Sequence, residues 1–158
     1  MPKSIHNIYG HKVRTRICGI CVVDDEILLV NHKGVGKGNL WAPPGGGIEY
    51  GESVFEALER EFKEETSLII KAKELLFVTE FIDLPLHAVE LFFSVEVIEG
   101  QLKRGMDPEM ESESQIITDV RFFPWKGIKD LDPDQVHGIF KNVSYPAEIL
   151  DLRGYFKL

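Results

Sequence analysis

The 158-residue chain is short of cysteine and of positive charge, and it has no long apolar run. Each shortage excludes something. Nowhere do about 20 consecutive apolar residues occur, the length a membrane helix needs, and Met1 to Gly10 holds no apolar segment resembling a signal peptide. A soluble, cytoplasmic protein is the expectation. Lys and Arg number 18 against 26 Asp and Glu, a formal net charge of -8. That balance disfavours a nucleic acid polymer or an anionic membrane as partner, since both attract clustered cations. A small anionic substrate remains admissible, because a bound cation reverses the local field of an acidic site.

The two cysteines, Cys18 and Cys21, have the spacing of a redox pair or of half a zinc site. Both readings fail on the surrounding residues. Val13 to Val23 reads as a strand, in which positions three apart face opposite ways at roughly 10 Å, too far for a disulfide. There is also no second pair to complete a zinc site, so packed, free thiols are expected.

What is present is an ordinary globular balance, 44% hydrophobic and 28% charged, over a length that suits one domain spanning residues 1–158. Ile27 to His32 reads as a second strand, joined to the first through the acidic turn Asp24-Asp25-Glu26. Gly34 to Asn39 resembles a phosphate loop in its glycines alone: it lacks the Lys-Ser/Thr ending and a following helix. Trp41 to Glu52, with Pro43, Pro44 and Gly45 to Gly47, reads as a specified loop. Ser53 then caps a helix over Val54 to Thr66, with Glu56 in its first turn. Leu68 to Phe81 and Leu86 to Ile98 read as long strands broken at Asp83 to Pro85, Ile116 to Phe123 as another, and Pro133 to Lys141 as a second helix. Strands on both sides of a helix in this order predict an α/β sandwich with a mixed sheet.

The helix carries the chemistry. At 100° per residue, Val54, Ala57 and Leu58 form its apolar stripe, flanked by Phe55 and Phe62, while Glu56, Glu59, Arg60 and Lys63 lie opposite. On that spacing Glu56 and Arg60 are a surface pair contributing about 0.3–0.5 kcal/mol. Glu61 and Glu65 instead continue the apolar stripe, with Glu64 at its edge. Ionised carboxylates about 5 Å apart repel by roughly 3 kcal/mol per pair at an effective dielectric of 20, which calls for a cation or protons. Clustered oxygen ligands suit a hard ion, Mg²⁺ or Mn²⁺, and therefore phosphoryl chemistry.

Gly46, five residues, Glu52, seven residues, then Arg60-Glu61-Phe62-Lys63-Glu64-Glu65 resembles the Nudix box, and the preceding Trp41-Ala42-Pro43-Pro44-Gly45 strengthens the likeness. The box covers Gly46 to Leu68; the flanks match only in strand order. The resemblance implies a Nudix-type α/β/α sandwich and a hydrolase that splits a phosphoanhydride of a nucleoside diphosphate linked to another group X. It further implies that Glu61, Glu64 and Glu65 bind Mg²⁺ or Mn²⁺ with the Gly46 carbonyl, and that Arg60 and Glu52 brace the loop. The general base varies in the family; Glu109, Glu111 and Glu113 are candidates, with Glu113 nearest the next strand. Many members are homodimers, although no self-complementary face is legible here. The family usually has Gly where this chain has Ser67, a departure that bears on helix termination. His6, His11, His32, His87 and His137 are dispersed, and none receives a ligand role. A noncatalytic nucleotide sensor on the same fold is the competing reading, disfavoured because every box carboxylate is present.

Overall fold

The β-branched stretch after Gly10 does form strands, but not one continuous one. The computed structural model describes residues 5–34, 38–104 and 117–158. It opens with a one-turn helix α1 (Ile5–Tyr9) and strand β1 (Lys12–Ile20). Cys21 interrupts, and β2 (Val22–Val23) turns back into β3 (Glu26–Lys33). Asp24 and Asp25 sit at φ 50° and 64°. Two consecutive left-handed residues match the twist of a tight hairpin, and Asp tolerates that conformation better than most side chains. Cys18 and Cys21 are both buried and free, and they pack into separate apolar clusters, as opposite-facing residues must.

The segment expected to be a loop contains two further strands, β4 (Asn39–Ala42) and β5 (Gly45–Gly47). Three glycines carry no strand propensity of their own, so tertiary pairing decides here. β5 is held antiparallel to β1 through Arg16 with Gly47, Ile17 with Gly46 and Cys18 with Gly45. Helix α2 (Val54–Thr66) follows, then β6 (Ile69–Asp83), β7 (Leu86–Glu99), β8 (Ile117–Phe123), a short α3 (Trp125–Lys129) and β9 (Gly154–Lys157).

Pro133 to Lys141 is not the second helix its composition suggests. Two 3-10 turns, Pro133–Gln135 and Gly138–Asn142, flank Val136, which bridges to Trp41. The His137 backbone N–H donates to the Trp41 carbonyl at 2.8 Å and its Nδ1 accepts from the Ile139 N–H at 3.2 Å. Those two bonds take the chain out of the helical path.

A five-stranded sheet has the order β5-β1-β7-β6-β9, with β1–β7 and β6–β9 parallel and the other pairs antiparallel. The mixed α/β architecture is the expected one, and it is accompanied by a second, antiparallel sheet in which β3 pairs with β2, β4 and β8. One core lies under α2, where Ala57, Leu58 and Phe62 meet Ile17, Leu28 and Ile70. A Cβ at Gly19 would collide with the Phe62 ring, so that glycine makes room for the largest buried side chain of the helix. The other core, around Phe77, Phe92, Ile139 and Ile149, is covered by the 3-10 turns of the C-terminal region. Among the described residues no helix is long and apolar enough to cross a membrane.

Both ends of α2 are set by local chemistry. Ser53 Oγ accepts from the Glu56 N–H at 3.2 Å, and Glu56 Oε2 accepts from the Ser53 N–H at 2.8 Å, a reciprocal capping box. Ser67 ends the helix at φ 64°, the conformation Gly adopts without a Cβ penalty. Ser67→Gly is therefore expected to stabilise the fold by up to about 1 kcal/mol, read as a higher midpoint in urea denaturation. A lower midpoint would mean that the serine side chain contributes more than the strain removes.

Candidate functional site

The last two turns of α2 lie against β5, and this contact brings the acidic residues together. Glu65 is 5% exposed. Its Oε1 accepts from the Gly45 N–H at 2.7 Å, and its Oε2 stands 3.3 Å from His32 Nε2 on β3. Glu61 packs on the α-carbon of Gly46, where any Cβ would collide with its carboxylate. The helix register thus seats two carboxylates on two consecutive glycines.

Arg60 is at the centre of this edge, not on the opposite surface. Its Nε and Nη2 donate to the two oxygens of Glu52 at 2.7 and 2.9 Å, a bidentate pair. Nη2 also donates to the Gly47 carbonyl at 3.1 Å, and Nη1 reaches Glu61 at 2.9 Å and Glu64 at 3.3 Å. The surface pair expected between Glu56 and Arg60 does not form, because Glu56 turns back to cap the helix. Spacing identified neighbours along the helix, but a loop carboxylate outside it provided the better partner.

Arg60 also revises the electrostatic expectation. The repulsion among the acidic residues is offset here by a guanidinium between Glu61 and Glu64, and by the N–H of Gly45 and His32 on Glu65. Among the described residues no three His, Cys, Asp or Glu side chains converge into a closed metal cage. The donor chemistry nevertheless fits a hard divalent ion. Glu61 and Glu64 both line the cleft, all the side-chain donors are oxygens, and the space beside Gly46 that a side chain would fill is open to Glu61. Burial, with the neighbouring Glu65 charge, pushes the Glu61 carboxyl up to about 7, against the pull of Arg60. The hydrogen bond to Glu52 raises the Arg60 guanidinium further above its ordinary value.

These groups border a cleft of about 580 Å³. Its floor carries a second charged network centred on Glu90 of β7. Arg16 on β1 pairs with Glu90 Oε2, and Arg16 Nη2 also lies 3.4 Å from the Gly45 carbonyl. Glu90 Oε1 accepts from Thr79 at 3.2 Å and from His137 Nε2 at 2.8 Å, while the Cys18 thiol lies 3.6 Å from Oε2. Because His137 Nδ1 already accepts from Ile139, the hydrogen is on Nε2 and points at Glu90. Burial opposes the Glu90 charge, but His137 and Arg16 outweigh it and hold the carboxyl well below the usual carboxylate range. Sequence reasoning assigned neither histidine and missed Arg16 and Glu90. The available signal was a charge inside an apolar strand, at Glu90 between Val89 and Leu91. Glu109, Glu111 and Glu113 lie outside the described residues.

The NUDIX domain family model matches residues 12–141. The chain belongs to the Nudix family. A curated relative, the ADP-ribose pyrophosphatase of Methanocaldococcus jannaschii, is 40% identical over 104 residues, which is 65% of this chain and 61% of that protein. The match therefore spans less than two thirds of that relative's length. Among solved structures, a UDP-X diphosphatase superposes with a TM-score of 0.68 at 22% identity, covering 92% of this chain and 67% of that one. A MutT NUDIX hydrolase from Burkholderia pseudomallei gives 0.62 at 24% identity, covering 80% and 92%. At these identities the structures share the Nudix fold. The box residues of this Nudix chain are those that meet at β5.

Proposed function

We propose that this Nudix chain is a pyrophosphohydrolase that cleaves the phosphoanhydride of a nucleoside diphosphate linked to a group X, with Mg²⁺ or Mn²⁺ as cofactor. The observation that carries the reading is the acidic edge of α2, seated on the glycines of β5 at the rim of a cleft large enough for a nucleotide. In this reading Glu61, Glu64 and Glu65, with the Gly46 carbonyl, hold the ion. A bound divalent cation would supply charge neutralisation on phosphate oxygens and a more acidic water.

The chain's own residues prepare this. Glu65, bonded through both oxygens, ties the helix to β5 and β3. Arg60 and Glu52 fix the loop between β5 and α2, with the Gly47 carbonyl as third anchor. Glu64, partly exposed on the helix edge, is the most open to the cleft contents of the three helix carboxylates. Glu113 is our choice of general base over Glu109 and Glu111; four residues later, Ile117 lines the cleft.

ADP-ribose is the first substrate to try, on the strength of the archaeal relative's name. The purified protein, with millimolar Mg²⁺ or Mn²⁺, would be offered ADP-ribose, nucleoside triphosphates, nucleotide sugars and dinucleoside polyphosphates, with AMP or phosphate release followed. Turnover that needs the metal, together with a metal-dependent rise in melting temperature, is the expected result. Tight nucleotide binding without turnover would replace this reading with that of a sensor.

A further inference from the structure

Arg14, among the cations that line the cleft, has no task in the chemistry proposed above. Arg14 lies two residues before Arg16 on β1, so both side chains leave the same face of the strand. Arg16 is committed to Glu90 and Gly45. Arg14 makes no ion pair with a carboxylate among the described residues; its guanidinium instead lies over the Tyr9 ring, 3.9 Å from the centroid. Both Arg14 and Tyr9 line the cleft. A Cβ on Gly47 would stand 3.8 Å from Arg14 Nη2, and Gly47 adjoins Gly46, against which Glu61 packs. The guanidinium therefore reaches β5 one residue from the acidic edge.

Burial, then the like charge of Arg16, draws Arg14 below its ordinary value, against the pull of Tyr9, Glu90 and Glu61. The Tyr9 ring lies beside the guanidinium, whose planar fork of donors has the geometry that matches two phosphate oxygens. Tyr9 comes from α1, so the segment before β1 has a positioning role in the cleft.

We propose that Arg14, steadied by Tyr9, binds the diphosphate of the substrate beside the Glu61–Glu64 edge. This rests on the hydrolase reading of the cleft. Tyr9 acts through Arg14 and is a positioning residue.

The test uses the intact chain with millimolar Mg²⁺ and α,β-methylene-ADP, which carries an uncleavable diphosphate, with adenosine as the phosphate-free control, both measured by titration calorimetry. Arg14→Met should weaken the methylene analogue by roughly 10- to 100-fold, as for loss of a charge-assisted contact, and leave adenosine unchanged. Arg14→Lys, which keeps charge but loses the fork, should fall between and covers the case in which the methionine variant does not fold. Tyr9→Leu should weaken the analogue by about 2- to 5-fold, the scale of an exposed cation–π contact. Equal weakening of adenosine would place Arg14 on the base and overturn the proposal. Undiminished analogue binding by Arg14→Met and Arg14→Lys would overturn it while leaving hydrolysis by the intact chain standing. An intact chain that neither binds the analogue nor hydrolyses any diphosphate would overturn both readings.

Discussion

Glu64→Gln should lower kcat by about 10²- to 10³-fold, the range for removing one group that stabilises transition-state charge, and leave thermal unfolding almost unchanged. The substitution keeps the shape of the side chain and removes its charge. Its Arg60 contact, at 3.3 Å, is the longest that Arg60 makes, and the bidentate Glu52 pair remains to hold the loop. The same change at Glu65 would be less informative, because that carboxylate also accepts from Gly45 and faces His32, so folding and catalysis would fall together. Steady-state kinetics on whichever substrate the screen yields, paired with a melting curve, separates the two effects. A variant with most of its turnover would remove Glu64 from the catalytic set.

Arg16→Met should destabilise the fold by about 3 kcal/mol at neutral pH, near the low end for breaking a buried ion pair because the Arg16 side chain is 21% exposed. The cost comes from Glu90, which is left buried with its charge less compensated. The pH dependence follows from the direction of its shift. Glu90 is held below its unfolded value, so its favourable contribution is fully present above the ordinary glutamate range and is lost as the pH falls toward its folded value. A protonated Glu90 does not need Arg16. The stability gap between the intact chain and Arg16→Met should therefore narrow on acidification, as measured by urea denaturation from pH 7 downward. A gap constant with pH would show that Arg16 matters for packing and not for charge.

Much of the helix was legible because its determinants are local. Ser53 and Glu56 mark its start, the apolar stripe fixes the buried face, and Ser67 takes the positive φ expected where the family has glycine. The acidic edge was legible for the same reason, since helical spacing alone places Glu61 and Glu65 on the inward side. Arg60 was misread by that spacing, because its main partner, Glu52, lies in the loop before the helix. β5 escaped notice because glycines carry no pattern, and only the pairing with β1 makes them a strand. His32, His137, Arg16 and Glu90 owe their positions to contacts between β1, β3, β7 and the C-terminal turns, which are distant in sequence. The 3-10 turns that cover the second core follow from His137 bonding back to Trp41, a contact without a periodic signature.

The glycine strand has a thermodynamic consequence. Glu61 approaches it at Gly46, Arg14 approaches it at Gly47, and no side chain on β5 separates them. The opposite charges of Glu61 and Arg14 attract across that strand, and Glu61 is one of the groups that raise Arg14. A cation held at the acidic edge and an anion bound by Arg14, as proposed, would therefore favour one another. By linkage the benefit is reciprocal: whatever factor the cation adds to anion affinity, the anion returns to the cation. Either alone meets a partly matched field, and together they complete it.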